Sequence, residues 1–313
     1  MNAPSDEVLE ALATRLGPTV RRQASTAALT TYGAGGPAAL QLMVAHEDQL
    51  AVVAAALASA AEPVPVLVVG LGSNLLVADD GFPGLVLVLG PAFAEVEIDG
   101  TTVRAGARAK LPVVARQTAA AGLTGFEWAA GVPGSIGGAV RMNAGVPDAD
   151  MADALVRVRV VDLGSGHDGQ VPAADLHLGY RTSSITAAQV VVGAELELTP
   201  ADPEVARAAI KEKTQWRRDH QPGGRNAGSV FTNPEGDSAG RLIEAAGLKG
   251  LRIGTAEVSP KHANFIQSDE GGRAADIWAL MVEVRRRVHQ HAGVDLHPET
   301  HLVGFDPMPE LAP

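Results

Sequence analysis

One stretch limits this chain more than any other: Ala130-Gly131-Val132-Pro133-Gly134-Ser135-Ile136-Gly137-Gly138-Ala139-Val140-Arg141-Met142-Asn143-Ala144-Gly145. Glycine at this density weakens helices and strands alike, so the segment reads as a loop. Without Cβ atoms, its backbone N–H groups can turn inward and approach an anion closely. Ser135, Arg141 and Asn143 add polar groups beside them. A second, shorter stretch, Val69-Gly70-Leu71-Gly72-Ser73-Asn74-Leu75-Leu76, follows the β-rich run Val64–Val69. A pyrophosphate needs several amide donors, and two such loops can clamp it from both sides. Neither stretch is a standard nucleotide fingerprint. Gly70-x-Gly72 follows a strand, but Leu75 stands where the third glycine of the dinucleotide motif belongs. No Gly-Lys-Ser/Thr follows, which removes the P-loop reading.

The rest of the chain narrows the class of ligand. Its 313 residues suffice for two or three domains of about 100–200 residues. The net charge of −11 argues against a nucleic-acid partner, which would call for a basic surplus. An acidic chain that binds an anion must gather its few cations locally. There are no cysteines, which removes thiolate metal sites and cysteine nucleophiles and fits a reducing cytoplasm. The longest apolar runs, such as Pro63–Leu76, are broken by glycine and proline before the ~20 residues needed to span a bilayer. Met1–Leu16 is mixed and acidic, unlike a signal peptide. His289, His291, His297 and His301 lack a carboxylate at ligand spacing, so no metal site is expected.

Hydrophobic periodicity predicts helices over Ala45–Ala61, Leu111–Ala121, Glu204–Asp219, Ala239–Ala246 and Ala274–His291, with a further helix in residues 1–28. Strands are expected at Gln41–Val44, Val64–Val69, Leu85–Leu89, Leu155–Asp162 and Val190–Leu198. Short strands are expected near Ile253, at Ala263–Ile266 and at Leu302–Val303. Ala94–Ile98 and Val103–Ala105 flank Asp99-Gly100, a hairpin signal. The proline-rich tail Asp306–Pro313 reads as loose. The alternation implies an α+β or mixed α/β protein with a boundary near residue 200.

Nine motifs, taken in order, resemble the UDP-N-acetylenolpyruvoylglucosamine reductase (MurB) family. Gly70–Leu76 and Gly131–Ala139, within the two glycine stretches, are among them. The others are Leu29-Thr30-Thr31-Tyr32-Gly33-Ala34-Gly35-Gly36, Met142-Asn143-Ala144-Gly145, Gly179-Tyr180-Arg181-Thr182-Ser183 and Gly228-Ser229-Val230-Phe231-Thr232-Asn233-Pro234. The run closes with Ala239–Gly250, Val258–Ile266 and the pair Pro298-Glu299. The resemblance spans about Leu29 to Gly304. It implies an α+β fold: an FAD-binding module of the vanillyl-alcohol-oxidase (PCMH) type over residues 1–201, in subdomains of about 1–90 and 91–201. An α+β substrate-binding domain over 202–313 follows. It further implies a monomeric cytoplasmic enzyme of peptidoglycan synthesis, serving cell-wall biogenesis, cell shape and cell division. Such an enzyme reduces UDP-N-acetylglucosamine enolpyruvate to UDP-N-acetylmuramate, with NADPH as hydride donor and FAD between them. Some members carry a long loop with a tyrosine after Tyr-Arg. Here only Thr182–Gln189 precedes the strand at Val190, so the chain is similar to the type lacking that loop.

The resemblance assigns residues. Arg181 would fork onto the substrate carboxylate, Ser229 would protonate C2, and Glu299 would polarise the carboxylate from the other side. Gly70, Leu71, Gly72, Ser73, Asn74 and Leu75 from the first loop would hold FAD. Gly131, Val132, Pro133, Gly134, Ser135, Gly137, Gly138, Asn143, Ala144 and Gly145 would join them from the second. Relatives that attach FAD covalently use a histidine in the first loop; Ser73 and Asn74 stand there instead, so FAD is expected to be non-covalent. Tyr180, Arg225, Asn233, Lys249 and Lys261 would bind substrate, with Arg252 a further candidate for the diphosphate. Three positions depart from the pattern: His220 and Thr232 replace basic residues, and His301 stands where arginine is common. Arg217, Arg218 or Arg225 are the candidates to compensate. Two rivals remain at this point: a flavin oxidase of the same fold, and a flavin- or nucleotide-binding regulator without activity.

Overall fold

The structure is a computed structural model that describes residues 3–311. It divides into two compact units that interleave in sequence. The first is formed by residues up to Gln23, Ala39–Leu71 and Pro83–Arg217; the second by Ala24–Ala38, Gly72–Phe82 and Arg218 onward. No single cut in the chain separates them.

Two sheets build the first unit. The larger has five strands in the order Asp168–Pro172, Leu155–Asp162, Gln189–Glu197, Thr102–Gly106, Val96–Asp99, and every neighbouring pair is antiparallel. The hairpin signal at Asp99-Gly100 is realised, with Asp99 opposite Thr102 and Gly100 at φ 61°. That left-handed backbone is one glycine adopts without a Cβ clash. The other sheet has the order Arg21–Ser25, Pro37–Val44, Phe82–Leu89, Val66–Val69, and its last two strands run parallel. Helices Asp6–Leu16 and Asp48–Ala58 cover it, and Leu12, Leu50 and Val53 join Leu40, Leu85 and Leu87 in one core. Each such leucine, fully buried, contributes about 1.5–3 kcal/mol.

The alanine-rich helix starts at Asp48 rather than Ala45, because the Gln49 side-chain carbonyl accepts from the backbone N–H of Ala45 at 2.6 Å and of His46 at 3.3 Å. The edge strands Arg21–Ser25 and Asp168–Pro172 have no counterpart in the sequence expectations. Both are polar and largely exposed, so they carry no apolar run to read.

The second unit packs a three-stranded antiparallel sheet, Arg252–Ile253, Ala256–Val258 and Ile266–Ser268, against helix Ala274–Ala292. That helix buries Ile277, Leu280, Met281, Val284 and Val288 on one stripe. Its start is fixed from far away in sequence: the Asp79 carboxylate accepts from Ala274 N–H at 2.9 Å and Ala275 N–H at 3.0 Å. It ends at Gly293, φ 68°. The strand expected at Ala263–Ile266 begins only at Ile266, because Phe265 N–H turns back onto the His262 carbonyl at 3.0 Å. The tail expected to be loose is tied down through the described residues. Arg285 Nη1 donates to the Pro309 carbonyl at 2.6 Å, and Met308 packs on the core; Ala312 and Pro313 lie outside the described residues.

Candidate functional site

Within the first unit the two glycine stretches meet. A half-open cavity is lined by Val68, Val69 and Gly70 from the first and Ser135, Gly137, Gly138 and Arg141 from the second. Gly70 is where the two stretches come closest. A Cβ there would come within 2.7 Å of Ser135 Oγ, so with any larger residue at 70 the Ser135 hydroxyl has to turn away for the two loops to stay this close.

The second stretch is not all loop. Ile136–Arg141 forms a short helix with Ile136, Ala139 and Val140 buried. Its first turn is stitched down by Ile136 N–H to the Ala109 carbonyl (2.9 Å) and Gly137 N–H to the Ala107 carbonyl (2.8 Å). Those two amides are thus spent on holding the loop in place. Gly72, in the second unit, adopts φ 60°, and a Cβ on it would lie 1.8 Å from the Leu29 carbonyl oxygen. That backbone crossing admits glycine alone.

Two arginines give the first unit a positive edge at these loops. Arg141 donates to the Thr186 carbonyl at 3.1 Å, and burial lowers its pKa. The stem of Arg217 lies against Gly131, whose Cβ would sit 2.5 Å from Arg217 Cδ; burial lowers the pKa of this guanidinium too. Among the described residues no carboxylate pairs with either. A cation desolvated without a counter-ion gains from a bound anion. A glycine cradle, an apolar-walled cavity and such cations together suit a cofactor carrying phosphates.

Arg181 sits in the same unit, at the tip of a two-residue turn. Gly179 N–H donates to the Thr182 carbonyl at 3.1 Å and Thr182 N–H returns to the Gly179 carbonyl at 3.2 Å. Arg181 holds φ 57°, a left-handed conformation costly for a long side chain. Its guanidinium lies over the Tyr180 ring, 5.0 Å from the centroid, and Nη2 donates to the Gly145 carbonyl at 3.1 Å. Tyr180 is 61% exposed, whereas Tyr32 is wholly buried in the second unit's core. Tyr32 therefore cannot act as a lid.

Asn143, expected to contact the cofactor, is committed elsewhere. Its Nδ2 donates to Asp150 Oδ2 at 2.9 Å and to the Gly179 carbonyl at 3.1 Å, its Oδ1 accepts from Ala152 N–H at 3.0 Å, and its own N–H bonds the Val140 carbonyl at 3.2 Å. No N–H of Asn143 is left for a cofactor.

In the second unit the segments carrying Ser229 and Glu299 lie side by side. Glu299 N–H donates to the Val230 carbonyl at 2.8 Å, Thr232 N–H to the His297 carbonyl at 2.9 Å, and Phe231 faces Pro298 in an antiparallel bridge. In such a pair alternate residues point their backbone groups away from the partner. Phe231 does so, and Asn264 receives it: Oδ1 accepts from Phe231 N–H at 3.0 Å and Nδ2 donates to the Phe231 carbonyl at 2.8 Å. Asn264, 4% exposed, thus replaces a missing neighbouring strand. On the other side Asn74 Nδ2 donates to the Glu299 carbonyl at 3.0 Å. Asn264 went unassigned in the sequence, although it lies inside the Val258–Ile266 motif; nothing local marks an asparagine as a backbone surrogate.

The expected substrate cations are unequal. Arg252 is shared between Asp269 at 2.7 Å and Glu257 at 2.8 Å, and Lys249 pairs with Glu244 at 2.7 Å. Lys261 donates to the Arg218 carbonyl at 2.5 Å. Arg225 makes a longer contact, 3.4 Å to the exposed Glu270, and is the least committed of the four. Asn233 accepts from Ala239 N–H at 3.0 Å, which fixes the entry to helix Ala239–Ala245. Among the described residues no cluster of His, Asp and Glu could hold a metal, and no helix is long and apolar enough to cross a membrane.

Two family models match. Residues 39–167 match the FAD binding domain and residues 220–303 match the UDP-N-acetylenolpyruvoylglucosamine reductase C-terminal domain. The chain is 42% identical over 287 residues to the UDP-N-acetylenolpyruvoylglucosamine reductase of Methylorubrum extorquens, covering 91% of this chain and 92% of that one. To the enzyme of that name from Erythrobacter litoralis it is 42% identical over 284 residues, 90% and 87% of the two chains. The crystal structure of the Thermus caldophilus enzyme (MurB) superposes with a TM-score of 0.79 at 36% identity, covering 91% of this chain and 99% of that one. The fold is the α+β one expected, a PCMH-type FAD-binding module with a C-terminal α+β domain, and the cofactor of that module is FAD. With relatives at this identity matched along nearly their whole length, the chain belongs to the UDP-N-acetylenolpyruvoylglucosamine reductase family.

Proposed function

We propose that this protein is an FAD-dependent UDP-N-acetylmuramate dehydrogenase. It reduces UDP-N-acetylglucosamine enolpyruvate with NADPH, a step of peptidoglycan synthesis that serves cell shape and division. It does so as a cytoplasmic monomer holding FAD non-covalently. The cofactor module is drawn mainly from residues 1–201 and the substrate domain mainly from 202–313, with Ala24–Ala38 and Gly72–Phe82 belonging to the second unit and the chain up to Arg217 to the first.

One observation supports this reading most: the second glycine stretch lines the cavity with Gly137 and Gly138, and its end, at Gly145, accepts the guanidinium of Arg181. The segment that would hold the cofactor also orients the arginine that would hold the substrate. FAD, held by the loops around Gly70–Leu75 and Gly131–Gly145, would supply the hydride relay between NADPH and C3 of the enolpyruvyl group.

The residues supply what that transfer leaves undone. Arg181 binds the carboxylate through its guanidinium and stabilises the negative charge that spreads into it from C2. Ser229 gives its hydroxyl proton to C2. Glu299, on the segment paired with Ser229's, polarises the carboxylate. The loops around Gly70–Leu75 and Gly131–Gly145 hold the pyrophosphate, with Arg141 and Arg217 as the nearby cations. Arg217 offsets the missing base at His220, and Arg225 is the leading cation for the substrate diphosphate, with Tyr180, Asn233, Lys249 and Lys261 in support.

The test is NADPH oxidation by purified holoenzyme with and without the enolpyruvyl substrate. Substrate-dependent turnover is expected. Oxygen-dependent turnover without substrate would point to a flavin oxidase, and none under either condition to a binding protein.

A further inference from the structure

We propose that Asn143 is a positioning residue for Arg181: by gripping the Gly179 carbonyl it fixes the turn that presents the guanidinium to the substrate carboxylate. The proposal rests on the reading of Arg181 as the carboxylate-binding group. Three observations carry it. First, the turn needs holding, because Arg181 occupies the left-handed region at φ 57°. An arginine there relaxes unless its neighbours are fixed. Second, the grip comes from the segment that also receives the side chain. Asn143 takes the Gly179 carbonyl at 3.1 Å, and Gly145, two residues on, accepts Arg181 Nη2 at 3.1 Å. Backbone and head group are thus referenced to one short stretch. Third, Asn143 is itself fixed. It is 3% exposed and tied to Asp150 Oδ2 and Ala152 N–H. Its φ of 39° is a conformation asparagine tolerates better than most residues.

Two of the three groups bonded to the Asn143 side chain keep a hydrogen bond if it is removed. The Gly179 carbonyl keeps Thr182 N–H at 3.2 Å, and Ala152 N–H keeps Asp150 Oδ1 at 2.9 Å. Asp150 Oδ2 loses its Asn143 donor, but Asp150 is only half-buried, so water can replace it. Loss of the side chain therefore frees the turn without orphaning a buried group. A residue whose loss leaves its surroundings satisfied, yet releases a strained arginine, acts on geometry more than on stability.

The experiment uses FAD-loaded Asn143→Gly, which keeps the left-handed backbone free of strain. Flavin absorbance is followed by stopped flow in two separate steps. Reduction by NADPH should stay within roughly threefold of wild type, since the turn is not needed for it. Reoxidation by UDP-N-acetylglucosamine enolpyruvate should slow by roughly ten- to a hundredfold, the scale of a misplaced binding group. The double variant Asn143→Gly with Arg181→Lys should be no slower than Arg181→Lys alone, because both act through one group. Wild-type reoxidation in Asn143→Gly beside a slow Arg181→Lys overturns the positioning role and leaves the reading of Arg181 intact. Wild-type reoxidation in Arg181→Lys sinks that reading and the proposal with it. Equal slowing of both steps, or additive losses in the double variant, assigns Asn143 a structural role and overturns the proposal. Should Asn143→Gly lose its flavin, isosteric Asn143→Asp carries the same test. Its carboxylate repels the Gly179 carbonyl and Asp150, so reoxidation slows at neutral pH. Protonation restores a donor, so its rate relative to wild type should recover as pH falls into the carboxylate range. A flat ratio overturns the proposal.

Discussion

Two buried asparagines, one in each unit, stand beside groups assigned to the reaction, and they differ in what depends on them. Asn143 grips a carbonyl that already has another donor. Asn264 takes both the N–H and the C=O of Phe231, whose backbone faces away from the strand bridged to it. The first sits among glycines and polar groups; the second lies against Val230 and Phe231, each about 1% exposed. The difference teaches that the same amide serves two ends. Where its partners have alternatives, it selects a geometry. Where they have none, it holds the fold.

That contrast is sharpest in stability. Asn264→Leu should leave the Phe231 N–H and C=O buried and unpaired, at a cost of about 3 kcal/mol. Asn143→Gly should cost well under half of that. Urea unfolding of both variants decides the matter, and equal losses would break the comparison.

The next effect is on rate. Ser229→Ala removes a hydroxyl without adding bulk. Reduction of the flavin by NADPH should stay within about tenfold of wild type, roughly 1.4 kcal/mol of barrier. Reoxidation by the enolpyruvyl substrate should slow at least ~10²-fold, about 2.7 kcal/mol, the low end for a lost general acid. Because Asn264 holds Ser229's segment through Phe231, the serine change should leave the melting temperature nearly untouched. If stopped flow shows both half-reactions equally slowed, Ser229 is positioning its loop and is not the proton donor.

A smaller effect tests the cradle. Gly70→Ala places a methyl 2.7 Å from Ser135 Oγ. That hydroxyl can rotate, so flavin affinity should fall about tenfold, or 1.4 kcal/mol, and the fold should survive. Titration of the apoprotein with FAD measures this; undiminished affinity would show that the approach of the two loops does not govern binding.

The smallest effect lies on the second unit's long helix. Hydrogen bonds from Arg286, then Arg287, pull the Glu283 carboxyl down to about 2. A carboxyl whose folded pKa is depressed stabilises the protein above its unfolded pKa near 4.5 and loses that contribution as pH falls toward about 2. The pairs are partly solvated, so Glu283→Gln should cost only about 0.5 kcal/mol at neutral pH and nothing at about pH 2. A pH series of thermal melts checks the sign: a cost that grows on acidification contradicts it.

Much of this was legible in the sequence, and for identifiable reasons. The hairpin at Asp99-Gly100 and the stripe Ile277–Val288 depend on neighbours within a few residues. The short helix Ile136–Arg141 was hidden, because glycine at 137 and 138 argues against helix, while the bonds of its first turn to the carbonyls of Ala107 and Ala109 come from a distant segment. The polar edge strand Asp168–Pro172 was hidden for want of a buried face. Asp79 capping helix Ala274–Ala292 is a contact that no local pattern encodes.

The sequence by itself determined the family, the two glycine stretches and the chemistry-bearing side chains, because each is a matter of residue identity at fixed spacing. The tertiary structure alone decided which polar groups remain available. It spent Asn143 on the Arg181 turn, Arg252 on Asp269 and Glu257, and Asn264 on Phe231. A hydrogen bond or ion pair is an exclusive use of a donor, and its partner is chosen by what the fold brings within about 3 Å.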